Sequence, residues 1–355
     1  MTRTNRTTGE TRATKGTGTA KEMKATKGIK TAKETGAAGT PHRTPRTDRY
    51  PTRLPAPSGL RPRPDPVVWG APGDGPLDAD ALRAYDRDGF HVEPALLTPD
   101  EVAGLTREIA ALATDPALKD DDRRVSEEGS RELRSIFEVH RISPAFDRLV
   151  RDPRILGIAR QILGSPVYVH QSRVNYKPGF KGGPFHWHAD FETWHAEDGM
   201  PAPRALSFSI ALTENLHCNG SLMIVPGSHH TFVPCAGETP PDHFRHSLRT
   251  HGAAVGTPDD AAVAELARER GIESCVGAAG SAVVFDSNCL HGSNGNITPY
   301  PRSNVFVVYN SVHNAPGEPF AAPAPRPPFL AARDVTPLET EEERERGEER
   351  ERGVE

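Results

Sequence analysis

Two histidines and one aspartate in this sequence have the residue types and the spacing of a metal site. His188 and Asp190 lie two residues apart in the stretch 185–192, and His291 follows far downstream in Cys-Leu-His-Gly-Ser. Two imidazoles and one carboxylate on one face of a metal leave the opposite positions open, which is the ligand set of non-heme Fe(II) oxygenases. The sequence therefore predicts a ferrous site that handles oxygen.

A third histidine, His186, is surplus to this ligand set. Side chains of a strand alternate between its two faces, so His186, His188 and Asp190 would all point the same way if the strand stayed regular. A lone histidine is more often structural than ligating, and short motifs produce false matches. A His-x-Asp pair together with a distal His-Gly pair is far less common by chance than either pattern alone. We assign the metal to His188, Asp190 and His291 and treat His186 as their neighbour.

The strand expected before this motif has polar side chains on both faces. One face carries Gln171, Arg173, Asn175 and Lys177, and the other carries His170, Ser172, Val174 and Tyr176. Buried polar groups are costly unless they meet a ligand or water. We expect one face to line a solvated cavity, although periodicity leaves an exposed sheet edge open as the alternative.

A later segment places Arg302, Asn304 and Phe306 on one strand face. Arg302 follows His291 by eleven residues, which is enough chain to return alongside the metal. A guanidinium there can hold a carboxylate through two parallel hydrogen bonds. A surface salt bridge is the alternative interpretation of the same arginine.

The two ends of the chain differ in composition from its middle. Residues 1–66 hold 15 Lys/Arg and 5 Asp/Glu, whereas the whole chain has a net charge of −5. Such a stretch has too few large apolar side chains to offset the entropy lost on ordering. A basic arm can bind nucleic acid, but we favour a dispensable extension. We predict a disordered basic extension at 1–64, a folded domain at 65–337 and a charged tail at 338–355.

Neither a membrane span nor a cysteine framework is predicted. No apolar run is long enough to cross a bilayer, and the N-terminus lacks the apolar core of a signal peptide. The cysteines are widely spaced without Cys-x-x-Cys, so they indicate neither a zinc knuckle nor a disulfide framework; they are Cys218, Cys235, Cys275 and Cys289. We expect a cytoplasmic protein with reduced thiols.

Helix signals come before the metal motif and strand signals come after Pro166. Helices should begin after Thr98, Ser143 and Asp152, each followed by proline at the first helical position. A further helix-like stretch covers 261–270. Short alternating segments occupy 167–177, 205–213, 222–225, 282–285 and 303–312. This pattern predicts a mainly β fold, an antiparallel double-sheet roll of the jelly-roll or cupin-like double-stranded β-helix type, with flanking helices.

Two stretches of the sequence resemble a known enzyme family. Residues 185–213, which include Phe-Glu-Thr-Trp-His-Ala-Glu-Asp-Gly-Met-Pro, and residues 291–304 are similar to the phytanoyl-CoA dioxygenase family of iron and 2-oxoglutarate enzymes, and within it to members that act on ectoine. The likeness runs through nearly the whole of the expected folded domain. Two departures stand out: His186 occupies a position where an aromatic such as tyrosine is expected, and the long N-terminal arm is not a family feature.

The resemblance implies a role for each matching residue. Iron would be held by His188, Asp190 and His291. Contacts with 2-oxoglutarate fall on Arg302, Lys177, Asn175, Phe185 and Ser293. Contacts with ectoine fall on Gln171, Arg173, Trp194, Ser207, Phe285 and Phe306. Ectoine is a small zwitterionic cyclic amidine, and aromatic faces can hold its delocalised cation.

The implied reaction is hydroxylation of ectoine to 5-hydroxyectoine with Fe(II), 2-oxoglutarate and O₂, with release of succinate and CO₂. The carboxylate of Asp190 argues against a halogenase, in which a small residue at this position makes room for halide. Two alternatives stay open: a related dioxygenase acting on another small zwitterion or amino acid, and a catalytically silent roll that binds a metal or solute. The expected partners are the small-molecule substrate and a second copy in a homodimer, without nucleic acid or membrane.

Overall fold

The computed structural model describes residues 47–56, 59–129, 132–249 and 255–352. The α-helices in these ranges are α1 (Ala79–Asp88), α2 (Pro99–Thr114), α3 (Val139–Ile142), α4 (Pro144–Val150), α5 (Pro153–Leu163), α6 (Asp190–Asp198), α7 (His243–Ser247), α8 (Asp260–Arg270) and α9 (Glu341–Arg352). The strands are β1 (Arg61–Pro62), β2 (Phe90–Glu93), β3 (Arg124–Ser126), β4 (Leu133–Phe137), β5 (Val167–Lys177), β6 (Phe185–His188), β7 (Ala205–Ala211), β8 (Leu222–Ile224), β9 (Thr231–Phe232), β10 (Glu273–Cys275), β11 (Ala282–Asp286), β12 (His291–Ser293) and β13 (Arg302–Ser311). None of the helices in these ranges combines the length and the apolarity needed to cross a membrane.

The three predicted helix starts are confirmed. At α2 the Thr98 hydroxyl accepts a hydrogen bond from the Glu101 backbone N–H, and the Glu101 carboxylate accepts one from the Thr98 N–H at 2.7 Å. This reciprocal capping box satisfies two donors that the first helical turn would otherwise leave unpaired. Ser143 and Asp152 cap α4 and α5 with one side-chain bond each and without the reciprocal bond of a capping box. The helix starts were readable because capping depends on local chemistry.

Two antiparallel sheets form the roll that the sequence predicts. The large sheet has the strand order β2-β11-β7-β13-β5-β4-β3, and the small sheet has the order β10-β8-β12-β6. A separate ribbon pairs β1 with β9. A double-sheet roll of this kind, with helices outside, is the jelly-roll architecture. The predicted fold class is therefore confirmed.

Both faces of the large sheet contribute apolar side chains to hydrophobic clusters. Towards the small sheet, Phe285 of β11 and Phe306 of β13 pack with Leu222 and Ile224 of β8. On its other face, alternate residues of the same strands, such as Val284 and those at 305 and 307, join the apolar sides of α1, α2, α4 and α5 in the main hydrophobic cluster. Strand alternation thus divides one sheet between an outer core with the helices and an inner core with the small sheet.

The packed body begins before residue 65, where the sequence placed its start. Tyr50 is 1 % exposed, and the backbone at Leu54 forms a bridge with Ala236. Arg53, at a positive φ of 55°, donates to both oxygens of Glu192 in α6, at 2.7 and 2.9 Å. The family resemblance already reaches back to about Tyr50, but the composition-based boundary missed this segment because a buried ion pair holds it rather than an apolar periodicity. Most of the predicted extension, residues 1–46, lies outside the described residues.

The described part of the predicted charged tail, residues 338–355, packs against the folded domain. Leu338 is buried against the main cluster, and its N–H donates to the carbonyl of Val167. In α9, Glu343 accepts hydrogen bonds from two nitrogens of Arg160, each at 2.8 Å. Two parallel hydrogen bonds between a guanidinium and a carboxylate fix the orientation of the helix, although the ion pair is partly exposed to water.

We predict that Arg53→Met lowers the thermal unfolding midpoint strongly, whereas Arg49→Met does not. Removing Arg53 leaves the buried Glu192 carboxylate uncompensated, which costs about 3–5 kcal/mol, or on the order of 10 °C for a domain of this size. The Arg49 side chain is 47 % exposed, and its partner Asp65 also accepts a hydrogen bond from the Tyr50 hydroxyl, so loss of this half-exposed ion pair should cost at most about 1 kcal/mol.

Differential scanning calorimetry of the two variants and the unmodified chain measures both effects. Equal midpoints for Arg53→Met and Arg49→Met would show that the N-terminal segment is not part of the cooperative unit.

Candidate metal centre and adjoining cavities

The three predicted metal ligands come together at one end of the small sheet. His291 begins β12 and lies directly opposite His188, the last residue of β6, in the antiparallel ladder. Asp190 is the first residue of α6, so the strand does not continue to it as the alternation argument assumed. Cross-strand neighbours are close by construction, and the strand-to-helix turn at Ala189 brings the carboxylate to them.

The distances fit a single ion. His188 Nε2 lies 3.7 Å from one carboxylate oxygen of Asp190, and His291 Nε2 lies 3.9 Å from the other. One ligand atom from each residue can be chosen so that all three lie within 4.8 Å of one another. Bonds of about 2.0–2.2 Å from nitrogen and oxygen to one ion place the ligand atoms about 3–4 Å apart. The donor set is the two-histidine, one-carboxylate face of a non-heme Fe(II) centre.

Backbone carbonyls orient both imidazoles. His188 Nδ1 lies 2.7 Å from the carbonyl of His186, and His291 Nδ1 lies 3.0 Å from the carbonyl of Cys289. A carbonyl can only accept, so each Nδ1 donates its proton, and in the neutral ring Nε2 then keeps a lone pair. That tautomer is the one a metal-binding histidine needs, and the carbonyl fixes the plane of the ring.

The Asp190 carboxylate stays ionised in spite of its burial. Burial alone would raise its pKa, but the neighbouring His291, His188 and Arg173 together lower the pKa below its ordinary value. The Ser207 hydroxyl donates to the second oxygen at 3.2 Å. Burial likewise lowers the pKa of His291 to about 4, so its ring is neutral at physiological pH. A neutral His291 ring and an ionised Asp190 carboxylate are ready for a divalent cation.

His186 is a neighbour of the metal residues, as the sequence indicated. Its side chain is exposed and lines the cavity beside the centre, and its backbone carbonyl orients His188. It is the backbone carbonyl of His186, and not the His186 imidazole, that orients the His188 ring.

Two cavities meet at the metal residues. The outer cavity, of about 200 Å³, is bounded by β4, β5, β6 and α6, by residues 243–248 and 255–257, and by Arg326 and Leu330. The inner cavity lies between the sheets and is lined by Arg173, Asn175, Phe185, His188, Leu222, His291, Gly292, Ser293, Arg302 and Phe306. His188 borders both cavities. A ligand in each would therefore have one end at the metal.

Arg302 closes the far side of the inner cavity. Its Nε donates to Asn304 at 3.2 Å and its Nη1 to the carbonyl of Gly220 at 2.9 Å. Nη2 is buried, and no acceptor among the described residues bonds it. Burial lowers the pKa of this guanidinium to about 10, which leaves it charged at neutral pH. A buried cation with an open donor indicates a site for an anionic group.

Lys177 does not line either cavity, although the resemblance grouped it with the co-substrate contacts. Its Nζ donates to the carbonyls of Gly183 and Asn294, the latter at 2.9 Å, and so ties together two loops. Burial, followed by the nearby charge of Arg302, lowers the pKa of Lys177 to about 6. A largely neutral amine with both protons committed to carbonyls is a structural tie and not a free anion receptor.

The remaining expected co-substrate contacts all border the inner cavity. Asn175 accepts a hydrogen bond from the Ser135 hydroxyl at 2.7 Å, which fixes its amide. The Phe185 ring has the guanidinium of Arg134 4.0 Å from its centroid. Ser293 follows His291 by two residues on β12, so the two side chains point to the same face of the strand. The inner cavity is therefore rigid and positively charged at its closed end.

A bulge in β5 changes the alternation that the sequence predicted. The register with β13 shifts between Val308 and Tyr309, so His170 is an extra residue opposite them. A bulge turns two consecutive side chains towards one face. His170 accordingly packs edge-on against Trp194, 5.0 Å between ring centroids, on the side where Gln171 borders the outer cavity. The expectation that His170 shares a face with Ser172 is wrong.

The residues expected to contact ectoine divide into three groups. Gln171, Arg173 and Trp194 line the outer cavity. Phe306 lines the inner cavity, with the Arg173 guanidinium 4.8 Å from its ring centroid. The other two lie behind the metal residues: Ser207 bonds Asp190, and the ring of Phe285 packs 4.8 Å from that of His291. Neither Ser207 nor Phe285 is among the residues lining the two cavities.

Several cavity residues escaped the sequence analysis. Arg53 and Arg326 come from segments remote from the motif, and residues 243–248 belong to a stretch to which no role beyond packing was assigned. No local pattern marks such residues. Glu197 is different, because it follows Asp190 by seven residues and so lies on the same face of α6. Helical spacing could have identified it.

Comparison with known proteins places the chain in a family. Residues 85–304 match the family model described as Phytanoyl-CoA dioxygenase (PhyH). Among curated proteins, the ectoine dioxygenase of Streptomyces coelicolor is 58 % identical over 293 residues, covering 82 % of this chain and 97 % of that protein. The crystal structure of EctD from S. alaskensis with 2-oxoglutarate and 5-hydroxyectoine superposes with a TM-score of 0.75 at 47 % identity, covering 83 % of this chain and 98 % of that one.

A second structure of the same EctD, with bound Fe, gives a TM-score of 0.74 over the same share of both chains. These matches cover the strands and the helix that carry the three metal residues. The chain belongs to the phytanoyl-CoA dioxygenase family.

Proposed function

We infer that this chain is an Fe(II)- and 2-oxoglutarate-dependent dioxygenase that hydroxylates ectoine to 5-hydroxyectoine, with release of succinate and CO₂. The observation that carries this inference is the facial triad at the junction of two cavities, one of which ends at the open donor of Arg302. Relatives that are named ectoine dioxygenase share 55–58 % of their residues with this chain over nearly their whole length.

Iron, when bound by His188, Asp190 and His291, would supply the coupling of 2-oxoglutarate decarboxylation by O₂ to insertion of one oxygen atom into a substrate C–H bond. The chain's contribution is placement. The carbonyls of residues 186 and 289 fix the two imidazoles, and Ser207 fixes the carboxylate. Orientation and exclusion of competing reactions are the protein's main tasks in cofactor chemistry.

The inner cavity is the proposed site of 2-oxoglutarate. Arg302 would pair with the carboxylate remote from the metal, because its Nη2 is buried with an open donor and Asn304 holds its Nε in place. Asn175 and Ser293 would offer further polar contacts, while Phe185 packs beside them. Lys177 would act on this site only through the loops that it joins.

The outer cavity is the proposed site of ectoine. Trp194 offers an aromatic face to the delocalised cation, and Gln171 lies beside it with its amide fixed by a 2.7 Å bond to the carbonyl of Leu330. Arg173 borders both cavities and carries a guanidinium that no carboxylate pairs within the described part of the chain. It would hold the ectoine carboxylate. Residues 243–248 and Leu330 cover the cavity and would limit the access of water.

The two alternatives are less well supported. A dioxygenase for another small zwitterion would need a different polar arrangement, but the expected ectoine contacts Gln171, Arg173 and Trp194 all meet in one cavity. A silent protein that only binds a metal would need neither the open donor of Arg302 nor two cavities that meet at the triad. Ectoine turnover distinguishes all three functions.

The homodimer and the cytoplasmic location stay predictions. Three large apolar residues, Phe180, Ile297 and Tyr300, are each 58–84 % exposed, and the backbone N–H of Phe180 bonds the carbonyl of Thr298 in the loop that carries the other two. Contiguous exposed apolar side chains are typical of interaction sites. Sedimentation velocity of the purified chain measures the oligomeric state.

The proposed activity is tested by incubating purified protein with Fe(II), ascorbate, 2-oxoglutarate and ectoine. We expect a product heavier than ectoine by one oxygen atom, hydroxylated at ring carbon 5, together with one succinate per product. Succinate that forms without this product would point to another substrate. The absence of both would support a binding protein.

We predict that His188→Ala and Asp190→Ala each abolish ectoine-dependent succinate release, while His186→Ala retains most of it. Loss of a metal ligand should exceed the roughly 10- to 100-fold loss that follows removal of a group supporting a ligand. The His186 imidazole is not in the ligand set, and its orienting carbonyl survives the substitution. Initial rates and bound iron measured for each variant test this. Turnover by Asp190→Ala would refute the ligand assignment.

We predict that Arg302→Gln raises the KM for 2-oxoglutarate by roughly 10- to 100-fold, the range of a lost charge-assisted hydrogen bond, and changes the KM for ectoine much less. Lys177→Met is the matched control, since it removes a buried basic group that lies near Arg302 but outside the cavity. Steady-state rates at varied concentrations of each substrate measure the effects. A larger 2-oxoglutarate effect for Lys177→Met than for Arg302→Gln would reverse the two roles.

A further inference from the structure

Helix α6 presents three functional side chains on one face. Asp190, Trp194 and Glu197 follow each other by four and three residues, the spacing of neighbours along a helix face. All three border the outer cavity. The first is a metal ligand and the second is a proposed substrate contact, whereas no role has been assigned to the third.

Glu197 is a buried carboxylate with only part of a counter-ion. Its side chain is 5 % exposed, and Oε1 accepts one hydrogen bond from Arg53 Nη2 at 3.1 Å. Arg53 is already engaged by two nitrogens with Glu192, at 2.7 and 2.9 Å. One guanidinium thus serves two carboxylates. No donor among the described residues bonds the second oxygen of Glu197, and a buried charge left in this state is costly.

The other basic groups near Glu197 do not complete the pairing. His243 lies near the same carboxylate, but burial lowers the pKa of its imidazole below the ordinary value and so disfavours a charged partner there. Arg326 borders the cavity as well, and it directs Nε and Nη2 to Asp198. Arg326 acts on Glu197 only through its charge, so Arg53 is the one basic group in the described ranges that hydrogen-bonds Glu197, and the cluster of Arg53, Glu192 and Glu197 has one more carboxylate than guanidinium.

The cavity also holds an excess positive charge. Arg173 donates to the side-chain oxygen of Gln171 and packs over the ring of Phe306, and no carboxylate in the described ranges forms an ion pair with it. A cavity with one incompletely paired cation and one incompletely paired anion is electrostatically complementary to a zwitterion. Buried charges are tolerated when a partner neutralises them, and such a ligand would neutralise both.

The geometry of the helix matches the layout of ectoine. Seven residues separate Asp190 from Glu197, about 10 Å along the axis at about 1.5 Å per residue. In ectoine the carbon to be hydroxylated lies across the ring from the amidine carbon. When that carbon faces the metal, the amidinium points away from it. Trp194 lies between the two ends of the helix face, where the ring would pass.

We propose that Glu197 is the counter-ion of the substrate's amidinium group and a specificity-determining residue of the outer cavity. The proposal rests on the proposed function, since it identifies which atoms of ectoine the cavity recognises. The second carboxylate oxygen accepts a hydrogen bond from an amidinium N–H, and Oε1 stays with Arg53. Ring substrates that lack a cation at this place bind weakly.

The test compares Glu197→Gln with Glu192→Gln in the full chain. Both variants remove one buried negative charge beside Arg53, but only Glu197 borders the cavity. We expect Glu197→Gln to weaken equilibrium binding of ectoine, measured by calorimetry, by roughly 10- to 100-fold, the range for a charge-assisted hydrogen bond, and to raise the KM for ectoine in parallel. The KM for 2-oxoglutarate should stay within about twofold. Glu192→Gln should lower the thermal midpoint with little change in ectoine binding.

A neutral analogue gives an independent readout of charge recognition. In this probe a lactam replaces the amidine of ectoine, so that shape is kept and the cation is lost. The unmodified protein should prefer ectoine to the lactam, and Glu197→Gln should lose most of that preference. A structural role of Glu197 would weaken binding of both ligands equally.

The outcomes separate this proposal from the proposed function. If the unmodified protein neither binds nor hydroxylates ectoine, the proposed function itself fails. If it hydroxylates ectoine but Glu197→Gln binds ectoine within twofold of the unmodified protein, only the role of Glu197 is overturned. Equal weakening by Glu197→Gln and Glu192→Gln would also overturn it, because both would then act through Arg53.

Discussion

Direct cross-strand pairing of His188 with His291 is the constraint on which the rest of the site depends. The pair sets two imidazoles side by side, with ring centroids 4.1 Å apart, before any metal is considered. The chain then turns from β6 into α6, so that the first helical residue, Asp190, supplies the carboxylate. Because the ligands come from a ladder and a helix start, their spacing follows from backbone geometry and not from flexible side chains.

Helix α6 extends this constraint from the metal to the substrate. Its first residue is a ligand, its middle carries Trp194, and its far end carries Glu197, so the orientation of one helix sets three contacts. The helix is held in turn by the buried pair of Arg53 and Glu192. The N-terminal segment therefore stabilises the site from outside the residues that match the family model. The charge of Arg53 therefore both stabilises the fold, through Glu192, and offsets the charge of Glu197 at the outer cavity.

The sequence predicted the elements that local chemistry determines and missed those that tertiary contacts determine. Proline and capping residues located α2, α4 and α5, and alternation located β5 and β13. The same alternation failed at His170, since a bulge depends on the partner strand. The ligand triad was readable from residue types, but the docking of Arg53 and of the C-terminal helix was not, because buried or paired charges have no periodic signature. The family resemblance placed Lys177 among the 2-oxoglutarate contacts. Its hydrogen bonds to two backbone carbonyls, which join two loops, could be seen only in the structure.

The most direct test of the account is a crystal structure of the protein prepared without oxygen in the presence of Fe(II) and 2-oxoglutarate. An anomalous iron signal should identify one ion within about 2.0–2.2 Å of His188 Nε2, His291 Nε2 and an Asp190 carboxylate oxygen, values usual for such ligands, with the far carboxylate of 2-oxoglutarate against Arg302. An ion bound elsewhere, or one that leaves His291 outside its coordination, would contradict the account.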